Sequence, residues 1–385
     1  MLVIVNCSIA TRTRVLHYRW LAIEEGRIEA TGRMVRGAPE ADEYLDARSG
    51  LIAPGYIDMH IHGCAGYDLC DGTEESIRGA SRELAKRGVV GFLVTAASQS
   101  HDRVVEILKA ARGVMDHPEP NGARVLGVHL EGPYISLKCA GAQNPEHIRP
   151  IDLNEVREWL SLDSDLVRIM TFAPELPGAV DLVKVLSRRD VVPAIGHTNA
   201  TYEETMAAID AGAWYSTHTF NAMKPLHHRD PGPIAAVLTH PRVHCEIIAD
   251  GIHVHPGVVR MLMHAKGPDK TVIVSDNIVA AGLPDGEYEF AGQKVTVLDG
   301  AARLDSGALA GSVKTIDRAV DLATGPRDDD LPGFVRAMST TPARVLGMAE
   351  RCGEVEPGLR ADLVFLDFDL RVMATMINGR AAYRR

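Results

Sequence analysis

The stretch GYIDMHIHG, residues 55–63, is the first of a series of short apolar runs that decide the fold. Successive side chains of a strand point to opposite faces, so we expect His60 and His62 on one face and Met59 and Ile61 on the other. Seven further strand-like runs follow at regular intervals. They cover residues 90–98, 125–131, 167–175, 192–197, 214–220, 244–250 and 271–276.

Between these runs lie segments in which apolar residues recur at positions i, i+3 and i+4, as in amphipathic helices. The clearest examples cover residues 73–88, 102–115 and 202–212. Strands that alternate with helices indicate βα units around a parallel sheet. Eight such units predict an α/β fold, a (β/α)₈ barrel of the TIM type.

Both ends of the chain have a different pattern, with β-like runs, glycine turns and no long helix. We expect residues 1–53 and 346–385 to pair as the two parts of one small β-sandwich domain. The barrel is then expected over residues 54–345, with a β-rich insert near 283–311. No solenoid repeat or low-complexity segment interrupts this organisation.

Composition excludes several classes of protein. The chain has 385 residues, of which 46% are hydrophobic and 24% charged, as in soluble globular proteins. A net charge of −10 argues against nucleic acid as the main partner, because binding to phosphate backbones needs a basic surface. The six cysteines show no C-x-x-C spacing, which favours reduced thiols and a cytoplasmic location. The N-terminus resembles a strand rather than a signal peptide, and no run reaches the roughly 18 to 20 apolar residues of a membrane span.

Polar residues recur at the ends of the strand-like runs, where barrel enzymes place their active sites. They are His60, His62, Glu131, His197, His218 and Asp276. Each one alone has an ordinary explanation, such as a core histidine, a loop carboxylate or a helix N-cap. A cluster of them at a barrel mouth is better explained by a bound cation, because unpaired buried charges are strongly unfavourable.

Imidazole and carboxylate donors without thiolates favour Zn²⁺, with Fe²⁺, Mn²⁺ and Co²⁺ as alternatives. Such a metal lowers the pKa of a coordinated water and polarises a carbonyl group. Asp276, at the last strand end, is placed to accept a proton from water and to pass it to a leaving group. The residues alone therefore predict metal-assisted hydrolysis.

Longer motifs narrow the comparison. They are HLEGPYIS (129–136), IGHTNA (195–200), STHTFNAMKPLHHRDPG (216–232), IIADGIHVHP (247–256), VSDN (274–277), ALAGS (308–312) and PGLRADLVFLD (357–367). Together they resemble the amidohydrolase superfamily and, within it, the N-acetylglucosamine-6-phosphate deacetylases, over almost the entire chain. Dihydroorotases and hydantoinases use a carboxylated lysine as the bridging ligand, whereas a glutamate in EGP takes that role here.

The resemblance implies the metal-dependent deacetylation of N-acetylglucosamine 6-phosphate to glucosamine 6-phosphate and acetate, in amino-sugar catabolism. It implies a metal held by Glu131, His197 and His218, and a second position supplied by His60 and His62, hence one or two ions per subunit. Asp276 becomes the catalytic acid and base. The residues placed around the substrate are Ala142, Gln143, Asn221, Ala222, Arg229, Asp250, His253, Leu309, Ala310 and Gly311. Arg229 and His253 are implied to bind the phosphate across the interface of a homodimer.

One stretch departs from the family pattern. After EGP, relatives resemble KKGAHNP, whereas this chain has LKCAGAQNP at residues 137–145. Cys139 and Ala140 replace basic positions, and Gln143 stands where a substrate-contacting histidine is usual. A glutamine can hydrogen-bond a sugar hydroxyl but carries no charge. Substrate preference therefore follows less firmly from the resemblance than reaction type does.

Two alternatives stay open at this point. The first is another amidohydrolase, acting on a different N-acyl amino sugar or an N-acyl amino acid. Arg229 and His253 argue for a phosphorylated substrate, because they have no evident role otherwise. The second is a non-catalytic barrel that serves as a binding or scaffold protein. Such relatives tend to lose ligands, and none is missing here.

Overall fold

The structure, a computed structural model, describes residues 1–319 and 331–385. Eight strands from both chain ends form one mainly antiparallel sheet. They are β1 (Leu2–Ala10), β2 (Val15–Glu24), β3 (Arg27–Arg33), β4 (Glu43–Asp46), β5 (Leu51–Pro54), β19 (Leu363–Leu366), β20 (Val372–Ile377) and β21 (Arg380–Arg384). Their order in the sheet is β21-β20-β19-β5-β1-β2-β3, with β4 beside β1. The two ends of the chain meet where β5 pairs with β19, with Leu51 opposite Leu366. The expectation that both ends build one β module is confirmed.

Eight parallel strands form the barrel, and their order in space is their order in the sequence. They are β6 (Tyr56–Ile61), β9 (Val89–Ala96), β10 (Arg124–Glu131), β11 (Val167–Phe172), β12 (Val192–Ile195), β13 (Tyr215–Ser216), β14 (His244–Ile248) and β15 (Thr271–Val274). The first and last strand ends are joined by backbone hydrogen bonds, from Asp276 N to His60 O (2.9 Å) and from His62 N to Asn277 O (2.7 Å). The predicted (β/α)₈ barrel and all eight of its strands are confirmed.

Helices cover the outside of the barrel. They are α1 (Glu74–Ala85), α2 (His101–Asp116), α3 (Leu153–Leu162), α4 (Ala179–Ser187), α5 (Tyr202–Ala211), α6 (Gly232–Thr239), α7 (Pro256–Lys266), α8 (Leu331–Val335) and α9 (Thr341–Val345), with a π-helical turn at Arg336–Thr340 between the last two. Local sequence sets their starts: α5, for example, begins with a capping box between Thr201 and Glu204. The three segments with helical periodicity became α1, α2 and α5.

The main hydrophobic core lies between the barrel strands and the helices around them. Phe92 of β9, Leu108 of α2, Phe172 of β11, Leu182 of α4 and Ile273 of β15 are all fully buried in it. This continuous packing makes the barrel rigid, so the loops after its strands are held in fixed positions. No helix in the described part of the chain is long and apolar enough to cross a membrane.

Two small β elements lie beside the barrel strands' carboxyl ends. A short hairpin, β7 (Gly63–Cys64) and β8 (Tyr67–Asp68), follows the first barrel strand. The predicted insert is a three-stranded antiparallel sheet of β16 (Gly286–Phe290), β17 (Gln293–Leu298) and β18 (Ala301–Leu304). Val295 and Val297 of the insert are buried together with Ile278, just after the last barrel strand. The insert is therefore anchored close to the strand ends.

Candidate active site

The six polar residues predicted from the strand ends lie together in the structure. They are His60, His62, Glu131, His197, His218 and Asp276, and each is buried. Three of them, His197, His218 and Asp276, lie two residues beyond a strand and have positive φ angles of 46°, 26° and 50°. Such backbone costs of the order of 1–3 kcal/mol per residue and is typical of functional sites, where it re-aims side chains.

Glu131 is the centre of one group of ligands. Its Oε1 atom lies 3.0 Å from His197 Nε2 and 2.9 Å from His218 Nε2. The two ring nitrogens are 3.0 Å apart. One carboxylate oxygen and two imidazole nitrogens therefore converge on a single point, a set that could hold a metal ion.

His60, His62 and Asp276 form a second group. Asp276 Oδ1 lies 3.3 Å from His62 Nε2 and 3.5 Å from His60 Nε2, and these two nitrogens are 3.2 Å apart. The other oxygen of Glu131, Oε2, is 3.2 Å from His62 Nε2. Glu131 thus reaches both groups, as expected of a carboxylate that bridges two metal positions.

Hydrogen bonds on the far side of the rings fix which nitrogen faces each group. His197 Nδ1 donates to the carbonyl oxygen of Cys139 (2.9 Å), and His62 Nδ1 donates to that of Thr95 (3.1 Å). His60 Nδ1 donates to the carboxylate oxygen Oε1 of Glu246, at 2.7 Å. These oxygens only accept, so Nδ1 carries the proton in each neutral ring and Nε2 is left as an acceptor.

This placement of the protons brings hydrogen-bond acceptors face to face, and a cation between them would remove the repulsion. The three Nε2 lone pairs face the carboxylate oxygens of Glu131 and Asp276, which also only accept hydrogen bonds. Neutral imidazoles oriented by an Nδ1–H hydrogen bond are the usual form of histidine metal ligands. The residues of both groups therefore fit a divalent metal.

The carboxyl groups of the site are charged at neutral pH. Burial raises the pKa of Glu131, but positive charge at His60 and His197 outweighs burial and holds that pKa well below its usual range. Where these rings are neutral ligands, a bound cation supplies that charge instead. Burial acts in the same direction on Asp276, and His60 and His62 again bring the pKa below its ordinary value. Asp276 is thus an ionised carboxylate, able to accept a proton.

A cavity of about 190 Å³ opens onto the two groups. Seven of the ten residues predicted to surround the substrate line it. They are Ala142, Gln143, Asn221, Ala222, His253, Leu309 and Gly311. Both groups therefore lie at the wall of a cleft that is open to solvent.

A family model described as the amidohydrolase family matches residues 51–382, which is most of the chain. The chain belongs to the amidohydrolase family. It is 35% identical to the N-acetylglucosamine-6-phosphate deacetylase of Bacillus subtilis, over 99% of this chain and 97% of that one. It is 34% identical to the N-acetylgalactosamine-6-phosphate deacetylase of Escherichia coli O157:H7, over 96% of this chain and 99% of that one.

Solved structures give the same family. A variant of the N-acetyl-D-glucosamine-6-phosphate deacetylase of Mycobacterium smegmatis, in complex with N-acetyl-D-glucosamine 6-phosphate, superposes with a TM-score of 0.90. It is 34% identical to this amidohydrolase, and the match covers 99% of each chain.

The other three predicted residues do not line the cavity of this amidohydrolase. Ala310 is fully buried. Asp250 lies behind His253, and its Oδ2 accepts hydrogen bonds from His253 Nδ1 (2.8 Å) and Ser312 Oγ (2.8 Å). Against the effect of burial, His253 lowers the pKa of Asp250 to about 2. The Asp250 carboxylate therefore orients the His253 ring and leaves its Nε2 free for a ligand.

Arg229 lies apart from the cavity of its own chain. It is exposed in the loop after β13, where its Nη1 is 2.7 Å from His228 Nε2. Among the described residues, no lysine or arginine lines the cavity. The structure therefore does not bring Arg229 and His253 together within one chain.

Gln143 is engaged with the metal-ligand group rather than pointing freely into the cavity. Its Nε2 donates to Glu131 Oε2 (2.5 Å), and its Oε1 accepts from the backbone N–H of Ser98 (2.6 Å). The sequence suggested a sugar-contacting amide at this position. The structure adds that the amide orients the bridging carboxylate.

Sequence reasoning missed several buried residues behind and beside the site. Glu246, on β14, accepts the hydrogen bond from His60 Nδ1. His129 packs edge-on against His60, with 4.7 Å between ring centroids. Phe290, from the insert, lies against His62 in the cavity wall. A charged residue inside the apolar run HCEIIAD was a signal for Glu246, whereas the position of Phe290 had none.

Proposed function

We propose that this amidohydrolase removes the acetyl group of N-acetylglucosamine 6-phosphate in a metal-dependent hydrolysis that yields glucosamine 6-phosphate and acetate. The observation that carries the proposal is the pair of metal-ligand groups, joined by Glu131, at the wall of an open cavity. A relative of the same fold and length is described in complex with this substrate, which gives further support. Ligands and cavity together argue against a scaffold protein.

A divalent cation in these groups lowers the pKa of a coordinated water and polarises the amide carbonyl. Asp276 acts as the base, because it is ionised and lines the cavity. Its carboxylate accepts a proton from the attacking water and delivers it to the amine nitrogen as the C–N bond breaks. Phe290 and Leu309 give the cavity an apolar wall, which suits the acetyl methyl group and excludes water.

His253 supplies a donor for the phosphate in its imidazolium form, because Asp250 accepts the Nδ1–H and leaves the Nε2–H free. A dianionic phosphate calls for more positive charge than this, and the described cavity contains no arginine or lysine. The exposed Arg229 suits that need if it reaches the cavity of a second subunit. We therefore propose a homodimer in which Arg229 and His253 meet across the interface. Size-exclusion chromatography with light scattering tests the proposed dimer. A protein that binds the phosphorylated sugar while it is monomeric would contradict the proposal.

Zinc is the proposed metal, because three or four imidazoles with carboxylates suit it well. Fe²⁺, Mn²⁺ and Co²⁺ use similar ligands and are the alternatives. Glu131, His197 and His218 hold one ion, and His60 and His62 with Asp276 supply the second position. Metal analysis of purified protein reports both identity and number. The cytoplasm is the proposed location, supported by six cysteines that are all free thiols.

Acetate release tests the proposed function. Metal-stripped protein should be inactive on N-acetylglucosamine 6-phosphate and should regain activity when Zn²⁺ is restored. Unphosphorylated N-acetylglucosamine should be a much poorer substrate. Restored protein that releases no acetate from the phosphorylated sugar would refute the proposal.

The second candidate substrate is N-acetylgalactosamine 6-phosphate, which differs only in the configuration at C4. A deacetylase for it is as similar to this chain as several deacetylases of the gluco compound. The departure at Cys139, Ala140 and Gln143 also leaves sugar preference open. The ratio of kcat/KM for the two sugars decides between them, since it measures relative transition-state binding.

A further inference from the structure

Glu246 is a fully buried carboxylate behind the two metal-ligand groups. It lies on β14, one strand beyond the one that leads to His218. Its Oε1 accepts hydrogen bonds from His60 Nδ1 (2.7 Å) and from the backbone N–H of His218 (3.0 Å). Its Oε2 accepts from the hydroxyl of Tyr215 (2.8 Å). One carboxylate thus holds a member of each group.

Three donors satisfy this carboxylate without any solvent. A buried charge is tolerated only when it is paired and hydrogen-bonded, and these contacts meet that condition. Because all three donors belong to barrel strands or the residues directly after them, the carboxylate is held rigidly. Its position is therefore a property of the barrel and not of a mobile loop.

Glu246 is not itself placed as a ligand. It could form a further metal group with His60 and His129 by distance alone. Both ring nitrogens of His129 are engaged, however, Nε2 with Thr171 Oγ1 (2.8 Å) and Nδ1 with the carbonyl oxygen of Met59 (3.3 Å). His60 turns Nδ1 towards Glu246 and Nε2 towards Glu131 and Asp276. Glu246 therefore acts on the metal position through His60.

We propose that Glu246 is a positioning residue that controls occupancy of the metal position formed by His60, His62 and Asp276. The inference deepens the proposed function and rests on it for the use of the metal. A carboxylate behind a histidine ligand fixes its tautomer and ring orientation and makes the ligand nitrogen more basic. Glu246 gives that support to His60.

The two groups depend on Glu246 unequally. His60 receives a charge-assisted hydrogen bond on its ring, which acts directly on its ligand nitrogen. His218 is contacted only through its backbone N–H, and its ring Nδ1 has no hydrogen-bond partner among the described residues. Loss of the charge should therefore weaken the position at His60 far more than the position at Glu131, His197 and His218.

The substitution Glu246→Gln tests this, because it removes the charge and keeps the shape and an acceptor oxygen. Metal-free protein is titrated with Co²⁺ without substrate, and the visible absorption and the bound metal are measured at each step. We expect one equivalent to bind about 10- to 100-fold more weakly than in the parent, with a changed absorption band. The other equivalent should change by less than about threefold.

Tyr215→Phe is the matched control, because it removes one hydrogen bond to the carboxylate but keeps the contact with His60. Both equivalents should stay within about threefold of the parent. Glu246→Asp is a second variant, in which the carboxylate is too short to reach His60; it should also weaken one equivalent selectively. Circular dichroism and thermal unfolding show which variant keeps the fold, and that one is used.

The proposal is overturned if the folded variant binds both equivalents as the parent does, or weakens both equally. It is also overturned if the parent binds only one ion, because no second position would then exist. The titration needs no substrate, so its result is independent of the proposed function. Selective loss of one equivalent in a protein that does not deacetylate the sugar phosphate would uphold the role of Glu246 and refute that function.

Discussion

Replacement of Asp276 by asparagine separates proton transfer from metal binding at Glu131, His197 and His218. Asparagine has nearly the same shape as aspartate, but its amide cannot accept the proton of the attacking water. Asp276 does not belong to the group of Glu131, His197 and His218, so that group should keep its ion. We expect a protein that binds metal and substrate but turns over very slowly.

The size of the effect follows from the surroundings of the carboxylate. General acid–base catalysis contributes roughly 10² to 10⁴ in rate. Asp276 is 8% exposed, so solvent reaches it poorly, and the other carboxylate in the cavity, Glu131, is occupied by Gln143, His197 and His218. No described group is thus free to replace it. We expect kcat to fall about 10³-fold, a rise of roughly 4 kcal/mol in the activation free energy.

The assay measures acetate release at saturating N-acetylglucosamine 6-phosphate, together with bound metal in the same samples. A kcat within tenfold of the parent at equal metal content would refute the role of Asp276 as the proton carrier. Loss of all metal would show instead that Asp276 is needed for both ions, and the division into two groups would be wrong.

Four further predictions concern other parts of the molecule. The double variant His60→Ala, His62→Ala should bind one metal ion where the parent binds two, and metal analysis that finds no decrease would contradict the second position. His253→Asn should raise KM for the phosphorylated sugar at least tenfold and hardly alter hydrolysis of the unphosphorylated one; an equal effect on both would remove the phosphate role. Arg124→Met should lower the free energy of unfolding, measured in urea, by about 3 kcal/mol. The reason is that Asp362 is only 1% exposed and Arg124 is its main partner between the barrel and the β module. Arg360, whose Nε lies 3.3 Å from Asp362, compensates in part. The pKa of Asp250 is lowered to about 2, so its carboxylate stabilises the fold fully above its ordinary pKa of 3.8. This contribution, about 2 kcal/mol, is lost as pH falls from about 4 to 2. Asp250→Asn should lack this part of the pH dependence of the free energy of unfolding, when it is compared with the parent across that range.

Much of the barrel could be predicted because its signals are local. Each strand-like run is a short apolar segment between turn residues, and each helix has a periodicity that its own residues carry. The ligands were predictable because parallel strands in βα units all end at the same edge of the barrel. His60 and Glu131 are 71 positions apart in the sequence, yet the topology alone brings them to one mouth.

What the strand pattern did not contain was the pairing of individual atoms. Glu246 occupies a strand position, but nothing local shows that its carboxylate meets His60, 186 residues earlier. Gln143 was predicted to meet a sugar, and only the folded loop shows its amide against Glu131. Phe290 comes from an insert whose placement over the barrel depends on packing with Ile278 and its neighbours.

The stretch GYIDMHIHG shows where this division falls. By itself the sequence determined a buried strand with two imidazoles of the right spacing for one face, and the eight-fold repeat determined that other donors would meet them. The tertiary structure decided which ring nitrogen of His60 and of His62 faces Glu131 and Asp276, because Glu246 and Thr95 accept the opposite N–H groups. It also decided that Arg229 lies outside its own chain's cavity. Hydrogen-bond direction depends on atoms brought together from distant strands, and no local pattern of residues encodes it.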